Sequence, residues 1–305
     1  MPGPGDEPGE SQFAYYLYRV FFAVGRYSPR PLGRAIARVA GEAGYRFMRS
    51  RRELMAAHQR RISGGTLAGP ELDRRVRDAF LSYGRYWLES ARAPGASAAG
   101  LEGAASAEGM EHFDAALAAG RGVILALPHL GTWDTGGAWM AAIGYPLTVV
   151  AELLRPRRLF DWFVAMRRRL GIEVIPLGPD AAPAVARTLR QGGVVALISD
   201  RDLIGNGVEV ELFGERTRLP AGPATLAIRT GAALLPCAVY MAPGGGPHCV
   251  VRPPVPVERS GRGLRADVAE VTRLLAAEIE ELIRAAPEQW HMFQPLWESD
   301  PGYGS

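Results

Sequence analysis

The spacing of hydrophobic positions along the chain changes near residue 110. Over residues 13–92 these positions recur at helical intervals, most regularly within 71–92. Prolines at 29–31 and two glycines at 64–65 interrupt this part, because both residue types disfavour the interior of a helix. The pattern therefore predicts several helices over residues 13–92, whereas the small residues of 93–109 predict a loop.

From residue 110 onward, short apolar runs alternate with helical patterns. The runs that predict strands are 122–127, 147–151, 173–176, 194–199, 208–213, 234–240 and 249–251. The patterns that predict helices are 132–143, 157–170, 180–191, 220–230 and 266–285. Such alternation is typical of an α/β fold with a central, mostly parallel sheet flanked by helices. We expect this core at 110–297, within a single domain that covers 13–305.

His129 stands in the strongest candidate for a catalytic motif. It follows the strand predicted at 122–127 and precedes a predicted helix, with Asp134 five positions later. Ligands of such sheets bind beyond the carboxyl ends of the strands. If Gly131 supplies a tight bend, Asp134 accepts the Nδ1 proton of His129 and leaves Nε2 as a general base. A strand-end histidine followed by a helix-capping aspartate has the same spacing, and spacing alone does not separate the two interpretations.

Charged side chains follow three further predicted strands. In chain order, they are Glu152, Arg167, Asp200, Arg201, Asp202, Glu215 and Arg218. Each group is expected at the same edge of the sheet as His129, where arginines beside a helix N-terminus bind anions well. Solvated helix faces and helix caps are the alternative interpretation of these residues.

Composition excludes several kinds of chemistry. All 35 Lys+Arg side chains are arginines, so the chain has no lysine for a Schiff base or a Walker-type phosphate loop. Any anion is bound by guanidinium groups, which favour bidentate contacts. The sequence lacks G-x-S-x-G and H-E-x-x-H motifs and any histidine spacing that suits a metal. Cys237 and Cys249 lie in apolar runs and are expected to be buried thiols. We expect neither a metal nor a cofactor.

Charge is distributed unevenly along the chain. Residues 13–92 carry 16 arginines against 6 acidic side chains, whereas residues 93–305 carry 19 against 23. This asymmetry predicts an anionic partner, either nucleic acid or an anionic membrane. Because 13–24 is apolar almost all round, the membrane surface is favoured and no nucleic-acid partner is expected. Packing of those aromatic residues against the rest of the protein is the alternative.

The location of the protein follows from two further features. No run reaches 18 uncharged apolar residues, so no transmembrane helix is predicted. Residues 1–12 are acidic and rich in glycine and proline, which predicts a disordered tail without the basic region of a secretory signal. We expect a peripheral protein at the cytoplasmic face of the plasma membrane.

The order of these motifs resembles that of the bacterial lysophospholipid acyltransferase superfamily. The matching residues are His129, Asp134, Glu152, Asp200, Arg201 and Asp202, followed by FGERTRLPAGPATLAIRTGAALLP. The chain is most similar to the lipid A acyltransferase-like branch. Its YWLES stretch at 86–90 and the arginine-rich helix after Glu152 resemble the actinobacterial phosphatidylinositol mannoside acyltransferases of that branch. The resemblance covers residues 13–297 and implies a glycerolphosphate-acyltransferase-like sandwich with an N-terminal helical, membrane-associating segment.

The resemblance also implies a reaction. His129 is the expected general base on an acceptor hydroxyl that attacks the thioester of acyl-CoA without a covalent acyl-enzyme, and Asp134 is its partner. The family further suggests a second acid that assists His129, for which Asp202 and Glu209 are both candidates. The implied acceptor is a mannose 6-hydroxyl of phosphatidylinositol mannoside.

The implied substrate-binding residues come from the same comparison of motifs. Glu152 and Arg167 match charged positions of the cleft, and FGERTR, with Glu215 and Arg218, matches an acceptor-phosphate block. Asp200 and Arg201 are further candidates. Two alternatives remain open, namely a lipid A-type acyltransferase with acyl carrier protein as its donor, and a membrane lipid-binding protein without catalytic activity.

Overall fold

The N-terminal helices follow the predicted pattern closely. The structure, a computed structural model, describes residues 13–303, with side chains from residue 15, so the tail predicted at 1–12 lies outside the described residues. The N-terminal helices are α1 (Phe13–Tyr27), α2 (Arg30–Phe47), α3 (Arg49–Ile62) and α4 (Gly69–Arg92). They break at the predicted prolines and glycines, and once more at Met48, which the pattern did not predict. Helix α4 contacts the other three.

The remaining chain alternates between strands and helices as expected. Its helices are α5 (Ala98–Ala104), α6 (Met110–Ala118), α7 (Trp133–Ala142), α8 (Arg157–Arg169), α9 (Ala181–Arg190), α10 (Gly222–Thr230) and α11 (Leu264–Ala285). Its strands are β1 (Ser106–Glu108), β2 (Val123–Leu127), β3 (Leu147–Ala151), β4 (Ile172–Pro176), β5 (Val194–Ile198), β6 (Val208–Leu212), β7 (Glu215–Leu219), β8 (Ala233–Met241) and β9 (Pro247–Val251).

Seven strands form one sheet in the order β1-β9-β8-β2-β5-β3-β4. Pairing is parallel throughout except between β8 and β9, so the predicted α/β class with a mostly parallel sheet is confirmed. Strands β6 and β7 form a separate antiparallel hairpin. The division into a single domain stays a prediction.

The hydrophobic pattern missed four elements, namely α5, β1, α6 and β7. The loop predicted at 93–109 is wrong, because α5 and β1 lie within it. Ser97 caps α5 by accepting a hydrogen bond from Gly100 N at 3.1 Å, and β1 pairs with β9 at the edge of the sheet. Strand β7 was also missed, because its charged residues do not form an apolar run.

Both faces of the sheet are buried, but against different helices. One core lies between the sheet, the β6–β7 hairpin and helices α9, α10 and α11. The other lies between the sheet and helices α6 and α7. Because side chains of a strand alternate between faces, Leu125 and Leu127 of β2 contribute to the second core, whereas Ile124 and Ala126 contribute to the first. Within residues 13–303, no helix has the length and apolar content to cross a bilayer.

The segment after α11 is fastened to α3. His58 Nδ1 contacts Met292 O at 3.0 Å, and its Nε2 contacts Asp300 Oδ2 at 2.9 Å. Arg61 donates to the other oxygen of Asp300 at 2.7 Å. Buried charged groups need such partners. These contacts fix the path of the chain between 290 and 300 and thereby position Trp290 beside the end of β2.

Candidate active site

His129 and Asp200 meet because of the register of two neighbouring strands. Strands β2 and β5 are parallel, with Leu127 opposite Ile198. Two residues beyond each of these positions, His129 Nδ1 donates to Asp200 Oδ1 at 2.7 Å. The backbone N–H of His129 donates to the other oxygen, also at 2.7 Å. An ionised carboxylate only accepts hydrogen bonds, so the Nδ1 proton is held and Nε2 of the neutral ring keeps its lone pair.

The negative charge of Asp200 is stabilised although the side chain is fully buried. Its Oδ2 also accepts a hydrogen bond from Trp290 Nε1 at 2.8 Å. Burial by itself raises the pKa of Asp200. The attraction between Asp200 and a protonated His129 ring, together with the hydrogen bonds from His129 and Trp290, outweighs burial, so the pKa of Asp200 is lowered below its usual value. Asp200 therefore stays ionised at neutral pH and can orient a histidine base.

Gly131 makes the tight bend between His129 and the start of helix α7. It has φ +64°, and a Cβ there would meet Val239 O at 2.0 Å, so the predicted bend at Gly131 is present, although it does not bring Asp134 to His129. Its backbone N–H donates to Gln289 O at 2.9 Å, and His291 N donates to His129 O at 2.8 Å. The turn is thus held by β8 and by the C-terminal segment.

The predicted contact between Asp134 and His129 is wrong. Asp134 lies in the first turn of α7, and its carboxylate accepts hydrogen bonds from Arg167 Nε at 2.8 Å and from Tyr86 OH at 2.9 Å. Spacing in the sequence favoured Asp134, but the parallel pairing of β2 with β5 brings Asp200 closer to Nδ1 of His129. Asp134 instead anchors Arg167 of α8 and Tyr86 of α4.

The pKa values of these two partners reflect their burial around Asp134. Burial, followed by the negative charge of Asp134, raises the pKa of Tyr86 well above its usual value. Burial lowers the pKa of Arg167, but the charge and hydrogen bonds of Asp134 outweigh this effect and the pKa is raised. Tyr86 is therefore neutral and Arg167 charged at neutral pH. Together they form a fixed polar group beside His129, with Trp133 stacked on Tyr86 at 4.1 Å between ring centroids.

Neither candidate for the second acid contacts His129. Asp202 accepts hydrogen bonds from the backbone N–H groups of its own loop, at Ile204, Gly205 and Gly207. Glu209 lies on β6, 59% exposed, with Arg216 at 3.7 Å. Asp200, which was predicted as a substrate-binding residue, is the acid that contacts the imidazole.

The other predicted binding residues are divided between two places. Glu152, Arg167 and Arg201 line the cavity described below, together with His129. Glu215 instead accepts hydrogen bonds from Arg61 and Ser299, and Arg218 donates to Gly207 O at 3.5 Å. Neither Glu215 nor Arg218 lines the cavity, because β7 lies in the separate hairpin.

A cavity of about 570 Å³ lies at the carboxyl edge of the sheet, beside His129. Its lining comes from both cores. On the side of α6 and α7, its apolar lining includes Phe113, Leu125, Leu127, Met140, Cys237 and Cys249. On the side of α9 and α10, it includes Val185, Leu197 and Leu226. A cavity that is mostly apolar with a few polar groups at one point is typical of a site for an apolar ligand.

Two residues of the site were not found by sequence reasoning. His291 shows no metal-ligand spacing in the sequence and was not predicted as a site residue, but it is buried and lines the cavity. Burial, with a smaller contribution from the charge of His129, lowers the pKa of His291 to about 3, so it adds no positive charge beside the base. Trp290 carried no signal in the sequence, because its contact with Asp200 joins strand β5 to the C-terminal segment.

Comparison with known proteins gives a consistent set of similarities. Residues 10–299 match the family described as bacterial lipid A biosynthesis acyltransferase. The phosphatidylinositol mannoside acyltransferase of Mycobacterium tuberculosis is 44% identical over 224 residues, which cover 72% of this chain and 69% of that protein. The protein of the same name from Mycolicibacterium smegmatis is 38% identical over 304 residues, which cover 88% and 94%. A lipid A biosynthesis acyltransferase of Haemophilus influenzae is 27% identical over 187 residues, which cover 60% and 55%.

Proposed function

The chain belongs to the bacterial lipid A biosynthesis acyltransferase family, and from this premise we propose that it moves a long-chain acyl group from acyl-CoA to a mannose 6-hydroxyl of phosphatidylinositol mannoside. The names of the two mycobacterial relatives support phosphatidylinositol mannoside as the acceptor lipid. The observation that carries the reaction is the pair formed by His129 and the buried carboxylate of Asp200 at the end of an apolar cavity.

In the proposed mechanism, Nε2 of His129 removes the proton of the acceptor hydroxyl. The hydroxyl oxygen attacks the thioester carbonyl, the new C–O bond forms, and the C–S bond breaks. The proton then passes from Nε2 to the departing CoA sulfur, so no covalent acyl-enzyme is needed. Asp200 holds the ring and stabilises the imidazolium that forms between these two proton transfers.

The apolar cavity suits the acyl chain of the donor. On the side of α6 and α7, its walls are aliphatic, aromatic and thiol groups, and burial raises the pKa of Cys249 to about 12. Burial also raises the pKa of Cys237, so both cysteines are neutral and act as small apolar surfaces. Glu152 and Arg201, which line the same cavity as His129, provide hydrogen-bonding partners for hydroxyl groups of the acceptor.

A peripheral position on the cytoplasmic face of the membrane accords with the surface of α1. Its aromatic residues Tyr18 and Phe22 pack against Trp87 and Phe163. A second group of large side chains on α1, here called the α1 stripe, is exposed: Tyr16, Leu17, Val20, Val24 and Tyr27. Exposed apolar groups among arginines are typical of a helix that lies in the interface of an anionic membrane.

An acyl-transfer assay tests the proposed reaction directly. The purified chain, incubated with palmitoyl-CoA and phosphatidylinositol mannoside in mixed micelles, is expected to yield a product that is heavier by one acyl group, esterified at the mannose 6-position. Product mass and fragmentation provide the measurement. Parallel reactions contain acyl carrier protein as the donor or a lipid A precursor as the acceptor. If acyl transfer occurs only with acyl carrier protein as the donor, or only with a lipid A precursor as the acceptor, the proposal is contradicted.

Trp290→Phe tests the hydrogen bond that supports Asp200. A hydrogen bond to a charged group contributes about 1.5–3 kcal/mol, so we expect kcat to fall about 10- to 100-fold, with little change in KM for acyl-CoA. Trp297→Phe is the matched control, because Trp297 is equally buried but its Nε1 has no hydrogen-bond partner among the described residues. Equal losses of kcat in the two variants would show that packing, and not the bond to Asp200, matters.

A further inference from the structure

We infer that two apolar loops at the mouth of the cavity insert into an anionic phospholipid bilayer, so that the acceptor lipid reaches His129 without leaving the membrane. This inference rests on the proposed function and adds the place of access. The loops follow β3 and β5 and carry four exposed side chains, here called the apolar rim: Leu153, Leu154, Leu203 and Ile204.

The apolar rim is one surface because its two strands are neighbours. Strands β3 and β5 pair in parallel, with Val149 opposite Ala196, so the loops that follow them leave the sheet at the same edge. Ile204 is 66% exposed and Leu153 is 47% exposed. Two adjacent loops that both expose large aliphatic side chains are unusual for a surface that faces water.

The apolar rim also leads into the site. Leu154, Leu203 and Ile204 line the cavity that His129 lines, whereas Leu153 is exposed and does not line it. Aliphatic side chains therefore continue from the outer surface of the loops to the base. A lipid whose headgroup must meet His129 can approach along such a path while its own chains remain in the bilayer.

The loop after β5 is built to enter an apolar medium. An unpaired backbone N–H group costs several kcal/mol when it leaves water for hydrocarbon. Asp202 accepts hydrogen bonds from Ile204 N at 3.0 Å, from Gly205 N at 3.1 Å and from Gly207 N at 2.5 Å. The carboxylate thus satisfies three donors of the loop from its inner side and leaves the tip with aliphatic side chains. This gives Asp202 a role in the loop in place of the predicted role beside His129.

The apolar rim adjoins the α1 stripe. Helix α8 begins directly after the β3 loop, and Arg158 in its first turn lies over the ring of Tyr15 at 4.8 Å. The start of α1 is therefore next to the loop that carries Leu153 and Leu154. One bilayer can contact both surfaces, and the arginine-rich sequence of 13–92 matches an anionic membrane. The bilayer is therefore the occupant that charge and geometry favour.

Site-specific fluorescence tests the insertion without any acyl transfer. Both native cysteines are buried, so Ile204→Cys can be labelled selectively with an environment-sensitive fluorophore in the full chain. Vesicles of anionic phospholipid are expected to shift its emission to shorter wavelength, and lipids brominated on their acyl chains are expected to quench it. Gln191→Cys is the matched control, because it is exposed and lies before β5, at the opposite end of the same strand. Its emission should not change.

A vesicle flotation experiment measures how much the apolar rim contributes. Leu203→Ser combined with Ile204→Ser is expected to weaken binding about tenfold, as expected for loss of partial burial of two aliphatic side chains. Gln191→Ser should bind as the parent does. A label at 204 that stays in water while the protein floats with the vesicles would overturn the inference, and so would absence of vesicle binding. Neither the fluorescence nor the flotation readout depends on the identity of the acceptor. Failure of membrane insertion can therefore be distinguished from failure of the proposed acyl transfer.

Discussion

His129→Ala is expected to lower kcat about 10²- to 10⁴-fold, the usual contribution of a positioned general base. The hydroxyl of a sugar is a poor nucleophile until its proton is removed, and Nε2 of His129 is the group that the Asp200 contact prepares for this step. The side chain is 30% exposed, so its removal leaves no large internal void. KM for acyl-CoA should stay within about twofold, because the site proposed for the acyl chain is the apolar lining of the cavity and not the imidazole.

His248→Ala is the control for this result. His248 resembles His129 in exposure, at 28%, and also lies beside a carboxylate, with Glu108 at 3.5 Å. It does not line the cavity, so its removal should leave kcat unchanged. Steady-state rates with palmitoyl-CoA and phosphatidylinositol mannoside, with melting temperatures as a check on folding, provide the comparison. If His129→Ala retained more than about a tenth of the parent activity, His129 would not be the base.

The elements with strong periodicity were predicted from the sequence. Helix α11 was expected at 266–285 and spans Leu264–Ala285, and the apolar runs of β2, β3 and β5 agree with the structure within one residue. Long amphipathic patterns and buried parallel strands leave a clear local signal. The segment at 93–109 has small residues and no periodicity, so α5 and β1 depend on contacts that the local sequence does not contain.

The histidine of the site could be predicted, but its partner could not. His129 follows a predicted strand, which is where ligands bind in α/β sheets. Asp200 also follows a predicted strand, yet only the order of strands in the sheet shows that β5 lies beside β2. Strand order depends on contacts between distant parts of the chain. Without it, the partner of His129 was chosen by closeness in sequence, and this wrongly favoured Asp134.

The contacts made by Trp290 and His291 illustrate the same limit. Both residues lie about 160 positions from His129 in the sequence, on an irregular segment fastened by His58 and Asp300. An irregular segment has no hydrophobic periodicity, so the sequence does not show whether its histidine and tryptophan belong to the functional site or only pack in the core. Their placement follows from packing of the N-terminal helices on the chain end, which a single sequence does not reveal.

Asp200→Asn is expected to lower kcat about 10³- to 10⁴-fold, the order seen when the carboxylate behind a histidine base is neutralised. Asparagine keeps the shape of the side chain but loses the charge that stabilises an imidazolium. Its amide N–H₂ can also face Nδ1 of His129 and enforce the wrong tautomer. Rates measured with palmitoyl-CoA and phosphatidylinositol mannoside provide the test, and KM for the donor should change little.

The matched control for this charge is Glu209→Gln, which neutralises an acidic residue on the exposed side of β6. Its activity should stay within about twofold of the parent, because surface substitutions away from a site have small effects. A large loss in Glu209→Gln together with a small loss in Asp200→Asn would reverse the assignment of the acid that assists His129.

The Asp200→Asn variant should also differ in its stability at acidic pH. Folding lowers the pKa of Asp200, so its charge contributes stability above the pKa of the unfolded chain, about 3.9, and this contribution is lost as the pH falls through the folded value. The variant lacks this contribution at every pH. The difference in unfolding free energy between parent and variant should therefore become smaller below about pH 4, as denaturant titrations at several pH values would show.

Combining His129→Ala with Asp200→Asn shows whether Asp200 acts only by positioning His129 or has an effect of its own. If Asp200 acts through His129, its charge has nothing to orient once the imidazole is absent. The double variant His129→Ala, Asp200→Asn is then expected to be no slower than His129→Ala alone, because residues that act as a unit are strongly non-additive. If the double variant instead lost kcat by the product of the two single losses, Asp200 would act on the substrate independently of His129. Because Asp200 is fully buried and does not line the cavity, the geometry favours non-additivity, with Asp200 as a positioning residue for His129.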